Sequence, residues 1–151
     1  GNVEVARSTF LMSLACPLGP ADPGQFVMVK VSPDRELFLR RPLAVLRQGD
    51  GVLELLYKVK GQGTFELSRK GRGDELWVLG PLGNAFTILD GPPLAAVVGG
   101  GVGIPPMMYL ARALVGSPSV SYGWSVDPAA AWLKDLSGAA VPVFDAVPVT
   151  P

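Results

Sequence analysis

The run Ala95-Ala96-Val97-Val98-Gly99-Gly100-Gly101-Val102-Gly103-Ile104-Pro105-Pro106 passes from apolar strand through a glycine loop into a helix. Glycines directly after a buried strand let a polyphosphate approach bare backbone. The helix after the loop begins with unpaired N–H groups and a partial positive charge. Pro105 and Pro106 suit its first positions, where a missing N–H costs little. Met107, Leu110, Ala111 and Leu114 then recur at i, i+3, i+4 and i+7, which predicts an apolar stripe, and Gly116 marks its end.

Towards the C-terminus the alternation continues. Ser119 to Tyr122 reads as a second strand, and Asp127-Pro128 as the cap and first residue of a second helix ending at Gly138. Ala140 to Phe144 reads as a third strand, so the order βαβαβ implies a parallel sheet with right-handed crossovers. The loop does not satisfy the common dinucleotide fingerprint. Counting from Gly99 the third glycine falls at Ile104, and counting from Gly101 it falls at Pro106. A purely structural glycine turn is the alternative, although four glycines in five positions exceed what one tight turn requires.

Towards the N-terminus the pattern is all-β. Val3 to Val5, Phe10 to Ala15, Gly24 to Val31, Leu43 to Leu46, Val52 to Val59 and Glu75 to Leu79 are short β-rich runs. They are separated by turn signals at Gly19-Pro20, Ser32-Pro33-Asp34, Gly49-Asp50-Gly51 and Gly71-Arg72-Gly73-Asp74. Strands at this spacing predict an antiparallel barrel or sandwich. One short helix is expected after Gly63, with Thr64 as its cap and Gly71 as its stop. Asp90-Gly91-Pro92-Pro93 can continue neither strand nor helix, which divides the chain into a β unit at 1–90 and an α/β unit at 94–151.

The 151 residues carry 13 basic and 13 acidic side chains, which excludes nucleic-acid or membrane-surface binding driven by overall charge. The distribution is uneven. Arg35, Arg40, Arg41, Arg47, Lys58, Lys60, Arg69, Lys70 and Arg72 face only Glu36, Asp50, Glu54 and Glu66 in the same stretch. That excess suits a compact anion such as a pyrophosphate, with a solvated basic face as the alternative. Cys16 is the only cysteine and histidine is absent, so an internal disulfide and a Cys/His metal site of the chain's own are both excluded. A lone thiol fits a cytoplasmic location, and no secretory signal is visible. Pro93 to Ala111 is uncharged, but glycine and proline fill six of the eight positions from Gly99 to Pro106, which would break a spanning helix.

Two further stretches suit phosphate. Arg40-Arg41-Pro42-Leu43 sets two guanidinium groups beside a rigid extended residue, and arginine matches phosphate oxygens bidentately. A surface pair on an edge strand is the plain alternative. Gly61-Gln62-Gly63-Thr64 offers backbone N–H groups and a hydroxyl, or is simply a connection. Tyr57, just before it, could stack on a flat ring or sit in the core. Trp77, Trp124 and Trp132 read as packing residues, and Phe86 as a plug for the barrel.

In this order and spacing five stretches resemble the ferredoxin reductase-like flavoproteins, and among them the electron-transfer subunits of class 1B dihydroorotate dehydrogenase. They are Pro23 to Val29, Arg41-Pro42-Leu43-Ala44, Tyr57 to Thr64, Leu79 to Phe86 and Val98 to Pro106. The resemblance implies an antiparallel flavin-binding barrel followed by a shortened parallel-sheet nucleotide-binding domain. It implies that Arg41, Pro42, Leu43 and Ala44 line FAD, that Tyr57, Lys58, Val59 and Lys60 border it, and that Gly63 and Thr64 hold its pyrophosphate. Gly100, Gly101, Val102 and Gly103 would form the NAD phosphate loop. The implied role is to take hydride from NADH and pass electrons, through a [2Fe-2S] cluster, to a partner that oxidises dihydroorotate in pyrimidine synthesis. No side chain is required as a catalytic acid or base.

Three departures stand against that pattern. Ala44 lies where the family usually has Ser or Thr. The family's four clustered cysteines are absent, so this chain cannot supply the ligands of the cluster. The nucleotide unit has room for three strands, as in a truncated sequence or a shortened relative. A non-catalytic structural partner of an oxidoreductase and a different ferredoxin or flavin reductase are the alternative functions.

Overall fold

The computed structural model describes residues 1–31, 39–88, 95–97, 99–114 and 120–122. The expected turn at Ser32-Pro33-Asp34, the Asp90 to Pro93 boundary, the helix stop at Gly116, the helix from Asp127 and the strand from Ala140 lie outside these residues, as do Trp124 and Trp132. Six strands form an antiparallel sheet: β1 (Asn2–Ala6), β2 (Thr9–Ala15), β3 (Phe26–Lys30), β4 (Arg41–Gly49), β5 (Val52–Lys58) and β6 (Trp77–Leu82). Their order is β1-β2-β5-β4-β3-β6. A short helix α1 (Gln62–Ser68) comes after β5. Beyond β6 come β7 (Ala95–Val97), a 3-10 turn at Gly101–Gly103, α2 (Ile104–Leu114) and β8 (Val120–Tyr122). β7 and β8 pair in parallel, the direction that strand–helix alternation predicts.

Local chemistry sets the register. Gly49 pairs with Val52 across a two-residue loop, and Asp50 and Gly51 both take positive φ, 53° and 73°. That is the type I′ geometry whose twist matches the flanking strands, and Asp-Gly is among the pairs that adopt it readily. On β4 the pairing slips between Val45 and Arg47. The bulge turns Leu46 and Arg47 away from the inner face that Leu43 and Val45 occupy.

β5 is central and covered on both sides, which explains its nearly unbroken apolar run. Leu53, Leu55 and Tyr57 enter the inner core with Met12, Val27, Val29, Leu43 and Val45. Leu56 points to the opposite face and packs with Leu46 against Ile104, Met108 and Ala111 of α2. Each fully buried Val or Leu side chain stabilises by about 1.5–3 kcal/mol, so the inner cluster dominates the energetics of the sheet. Glu54 also faces outward and is buried, held bidentately by Arg47 at 2.7 and 2.9 Å.

Several boundaries and contacts depart from the sequence reading. β4 begins at Arg41 and lies between β3 and β5, so Arg41 is not on an edge strand. α1 starts at Gln62 with Gly61 as its cap, which makes Thr64 the third helical residue instead of the cap. Of the expected α2 stripe, Ala111 and Leu114 are buried and Met107 packs partly against the sheet, and Ile104 and Met108 join that face against Leu46 and Leu56 in place of Leu110. Trp77 is 49% exposed on β6, since its pairing with Lys30 places it on the outer face. Phe86 is likewise 40% exposed, lying against Gly24 and not inside the sheet.

Candidate functional site

β5 delivers the chain to the loop 59–61, and α1 begins at once. Thr64 fixes that turn. Its Oγ accepts hydrogen bonds from the Lys60 N–H at 2.9 Å and the Gly61 N–H at 3.2 Å, and donates to the Gly61 carbonyl at 3.0 Å. One donor and two lone pairs are thereby all used. The hydroxyl shapes the loop, and the N–H groups of the first helical turn are left as the loop's polar face, because no carbonyl of their own helix precedes them.

Arg41 closes this loop from the side. It opens β4 opposite Val29, and its guanidinium donates to the Leu39 carbonyl. The same guanidinium lies directly across Gly63, where an added Cβ would overlap it. Gly63 is buried and Lys58 and Lys60 are exposed, so the loop has Arg41 across it and two exposed lysines on the neighbouring chain. Arg41, Lys60, Gly63 and Thr64 are therefore brought together.

The remaining residues of that group separate. Pro42 is exposed on the outer face, opposite Met28, and Ala44 sits opposite Phe26. Leu43 is only 8% exposed and belongs to the inner core, which leaves its backbone as the part that could meet a ligand. Val59 packs partly into the same core, its N–H bonded to the Ser8 carbonyl at 2.7 Å. Tyr57 is 2% exposed, so a ring-stacking role gives way to core packing. Its ring stacks on Phe10 at 5.7 Å, and its hydroxyl meets Asn2 Oδ1 at 3.1 Å. Burial, offset in part by the Asn2 bond, pushes the phenol up to about 12.

The second glycine loop has a different character. Gly100 is extended, Gly101 takes a φ of +55°, and the Gly103 N–H bonds back to the Gly100 carbonyl at 3.0 Å. A Cβ at Gly100, Gly101 or Gly103 would meet nothing within 4 Å, and Val102 is 52% exposed. Gly99 differs, since a Cβ there would press on Met107 of α2. The turn packs on β5, the strand that leads to the first loop.

Asn2 is a residue that sequence reasoning misses. Its amide donates to the carbonyls of Leu67 and Lys70 at 2.9 and 3.0 Å while its oxygen accepts from Tyr57, which ties the end of α1 to β1. A lone Asn near the start of a chain carries no signal of this. Glu54 does carry one: a carboxylate buried within the run Val52 to Leu56 requires a cation partner, and half-exposed Arg47 supplies it.

A separate cleft of ≈ 610 Å³ lies between the two ends of the sheet, lined by Asn2, residues 12–18 and residues 70–78. None of the residues expected to bind a cofactor lines it. Among the described residues, no group of three or more His, Cys, Asp or Glu side chains could hold a metal ion. Among them too, no helix is long and apolar enough to cross a membrane.

No family model matches the chain. Individual proteins do. The electron transfer subunit of dihydroorotate dehydrogenase B (NAD(+)) from Bacillus caldolyticus is 44% identical over 116 residues, 73% of this chain and 45% of its own length. The corresponding subunit from Fusobacterium nucleatum is 33% identical over 117 residues, 74% of this chain and 45% of its own length. The chain thus spans a little under half the length of these relatives. Among solved structures, an NADH-dependent reduced ferredoxin-NADP oxidoreductase superposes with a TM-score of 0.72 at 31% identity, over 84% of this chain and 48% of the other. Phthalate dioxygenase reductase superposes with a TM-score of 0.68 at 23% identity, over 82% and 41% of the two chains, and so shares the fold.

Proposed function

We propose, from the premise that this chain is a relative of the dihydroorotate dehydrogenase B electron transfer subunits over the part of them it spans, that it is a flavin-binding electron-transfer component. The observation that carries this is the Arg41 guanidinium lying across Gly63 at the head of the Thr64-shaped loop. A guanidinium, which can grip phosphate oxygens bidentately, beside unpaired backbone N–H groups is complementary to a diphosphate, and the missing Cβ is what allows the approach. FAD fits these residues. Arg41, Gly63 and the loop around Thr64 would hold its diphosphate, Pro42, Ala44 and the Leu43 backbone would border the flavin, and Lys58 and Lys60 would add charge at the rim.

When bound, the flavin supplies the exchange between two-electron and one-electron carriers. The side chains of this site neutralise, orient and exclude water. In this reading Gly100, Gly101, Val102 and Gly103 receive the phosphates of a nicotinamide nucleotide, and the β7–β8 pair belongs to a parallel-sheet nucleotide unit. The partner would be a dihydroorotate-oxidising catalytic subunit, in the cytoplasm. The single cysteine of these 151 residues cannot by itself supply the thiolate ligands of a [2Fe-2S] cluster. A second reading is a non-catalytic structural partner of an oxidoreductase.

One titration separates them. The folded chain should take up FAD with the spectral shift of a bound flavin. Arg41→Ala should weaken that binding about tenfold to a hundredfold, the loss of a charge-assisted contact. A folded chain that takes up no FAD overturns the flavin reading and leaves the structural one.

A further inference from the structure

The connection between β2 and β3 is bonded to three parts of the molecule at once. At its centre the Ala21 peptide is buried and gripped on both sides. Gln48 Oε1 of β4 accepts from the Ala21 N–H at 2.6 Å, and the Tyr109 hydroxyl of α2 donates to the Ala21 carbonyl at 2.6 Å. The Gln48 amide also donates to the carbonyls of Leu18 and Gly19, at 3.3 and 3.1 Å. At the far end Gln25 donates to the Gly83 carbonyl at 2.9 Å, and the Phe86 N–H donates to the Pro23 carbonyl at 2.8 Å.

These bonds reach both passages between the six-stranded sheet and the α/β segment. Residues 83–86 carry the chain out of β6, and α2 brings a helix back onto the outer face of the sheet. We propose that Tyr109 is a positioning residue: with Gln48 it clasps the Ala21 peptide and so sets where the glycine turn 99–103 stands relative to Arg41 and Gly63. The apolar contacts of Ile104, Met108 and Ala111 press α2 onto the sheet, and a directed bond at 2.6 Å to the carbonyl of buried Ala21 adds a fixed register. Burial, and next the charge of Asp22, raise the Tyr109 phenol above its ordinary value, so it remains a donor at neutral pH. Five residues separate the last glycine of the turn from Tyr109, under two helical turns, so a shift at the clasp is transmitted through rigid helix.

The inference rests on reading the glycine turn as a nucleotide site, and the test separates the two. In the FAD-loaded chain, Tyr109→Phe should weaken NADH binding about threefold to tenfold, the effect of one net hydrogen bond, with FAD affinity unchanged. A merely structural loss would move both affinities together, and either that or no change at all overturns the proposal. Hydrogen exchange read on the chain alone provides the independent arm. Tyr109→Phe and Gln48→Met should each speed exchange across α2 about threefold to tenfold and leave α1 unaffected, and the double variant should add little to the larger single effect. Unchanged α2 exchange overturns the clasp. A wild-type chain that binds no NADH instead overturns the nucleotide reading while the exchange result stands.

Discussion

In the loop 61–64, Gly63 is buried and lies under a guanidinium, whereas in the loop 99–103 a side chain at Gly100, Gly101 or Gly103 would meet nothing within 4 Å. The first loop is braced within its own unit: Thr64 takes the Lys60 and Gly61 N–H groups, Arg41 lies over Gly63, and Asn2 holds the far end of its helix. The second loop is held from behind, by Met107 beside Gly99 and by the seat of α2 on Leu46 and Leu56. Two stretches that look alike as sequence thus use glycine for unlike reasons. In one, a side chain would displace a neighbour already present. In the other, the space is kept open and the demand falls on backbone conformation.

Gly63→Ala is the strongest way to break that contrast. The new methyl overlaps the end of a flexible side chain, so the fold survives and Arg41 swings away. FAD affinity should then drop about tenfold to a hundredfold, as for loss of the arginine itself. In an Arg41→Ala background the same change should instead stabilise the fold by about 0.5–1 kcal/mol, because alanine is the better helix former and the three atoms nearest the new methyl, all from Arg41, are gone. Thermal melts alongside FAD titrations check the reversal of sign. An equal effect in both backgrounds would show that Arg41 does not occupy that space.

Alkaline titration sharpens the contrast next. Below pH 10 Tyr57 holds its proton whether the chain is folded or not. Between pH 10 and about 12 only the folded state still holds it, so stability falls as pH rises, by up to about 1.4 kcal/mol per unit and about 2–3 kcal/mol in all. Tyr109 acts in the same direction. Tyr57→Phe should start about 1 kcal/mol less stable, since Asn2 loses its donor, and then decline less steeply over this window. Denaturant melts at about pH 9, 10 and 11, spanning the ordinary phenol value, measure both slopes. Parallel declines would mean that the phenol is not shielded.

Much of this was legible in the residues. The Asp50-Gly51 turn, the strands on either side of it and the helix after the glycine run all follow from local chemistry that tertiary structure reinforces. The grouping of Arg41 with Gly63 was suggested by residue type and by order along the chain. What could not be read depends on which face a strand turns to which neighbour. A β-bulge at Val45–Arg47 reverses alternation without any glycine to announce it, and the face α2 presents is chosen by Leu46 and Leu56, far back along the chain. The double grip on Ala21 is further still from sequence, since neither an alanine nor a glutamine in a strand marks a polar contact.

The finest discrimination lies within the open loop. Gly101 has a φ of +55° and Gly100 a φ of −141°, although neither has a neighbour that a methyl would strike. Alanine at 101 must enter the left-handed region, at about 1 kcal/mol, whereas alanine at 100 is compatible with its backbone and restricts the unfolded chain, a gain of about 0.4–1 kcal/mol. For a domain of this size these amount to a few degrees of melting temperature in opposite directions. If the loop receives phosphates, both substitutions weaken NADH binding, because each puts a methyl where bare backbone would be approached. A Gly100→Ala chain that is more stable yet binds NADH less tightly would separate the two demands on glycine, since the new methyl meets nothing within 4 Å among the described residues and is left to hinder the ligand.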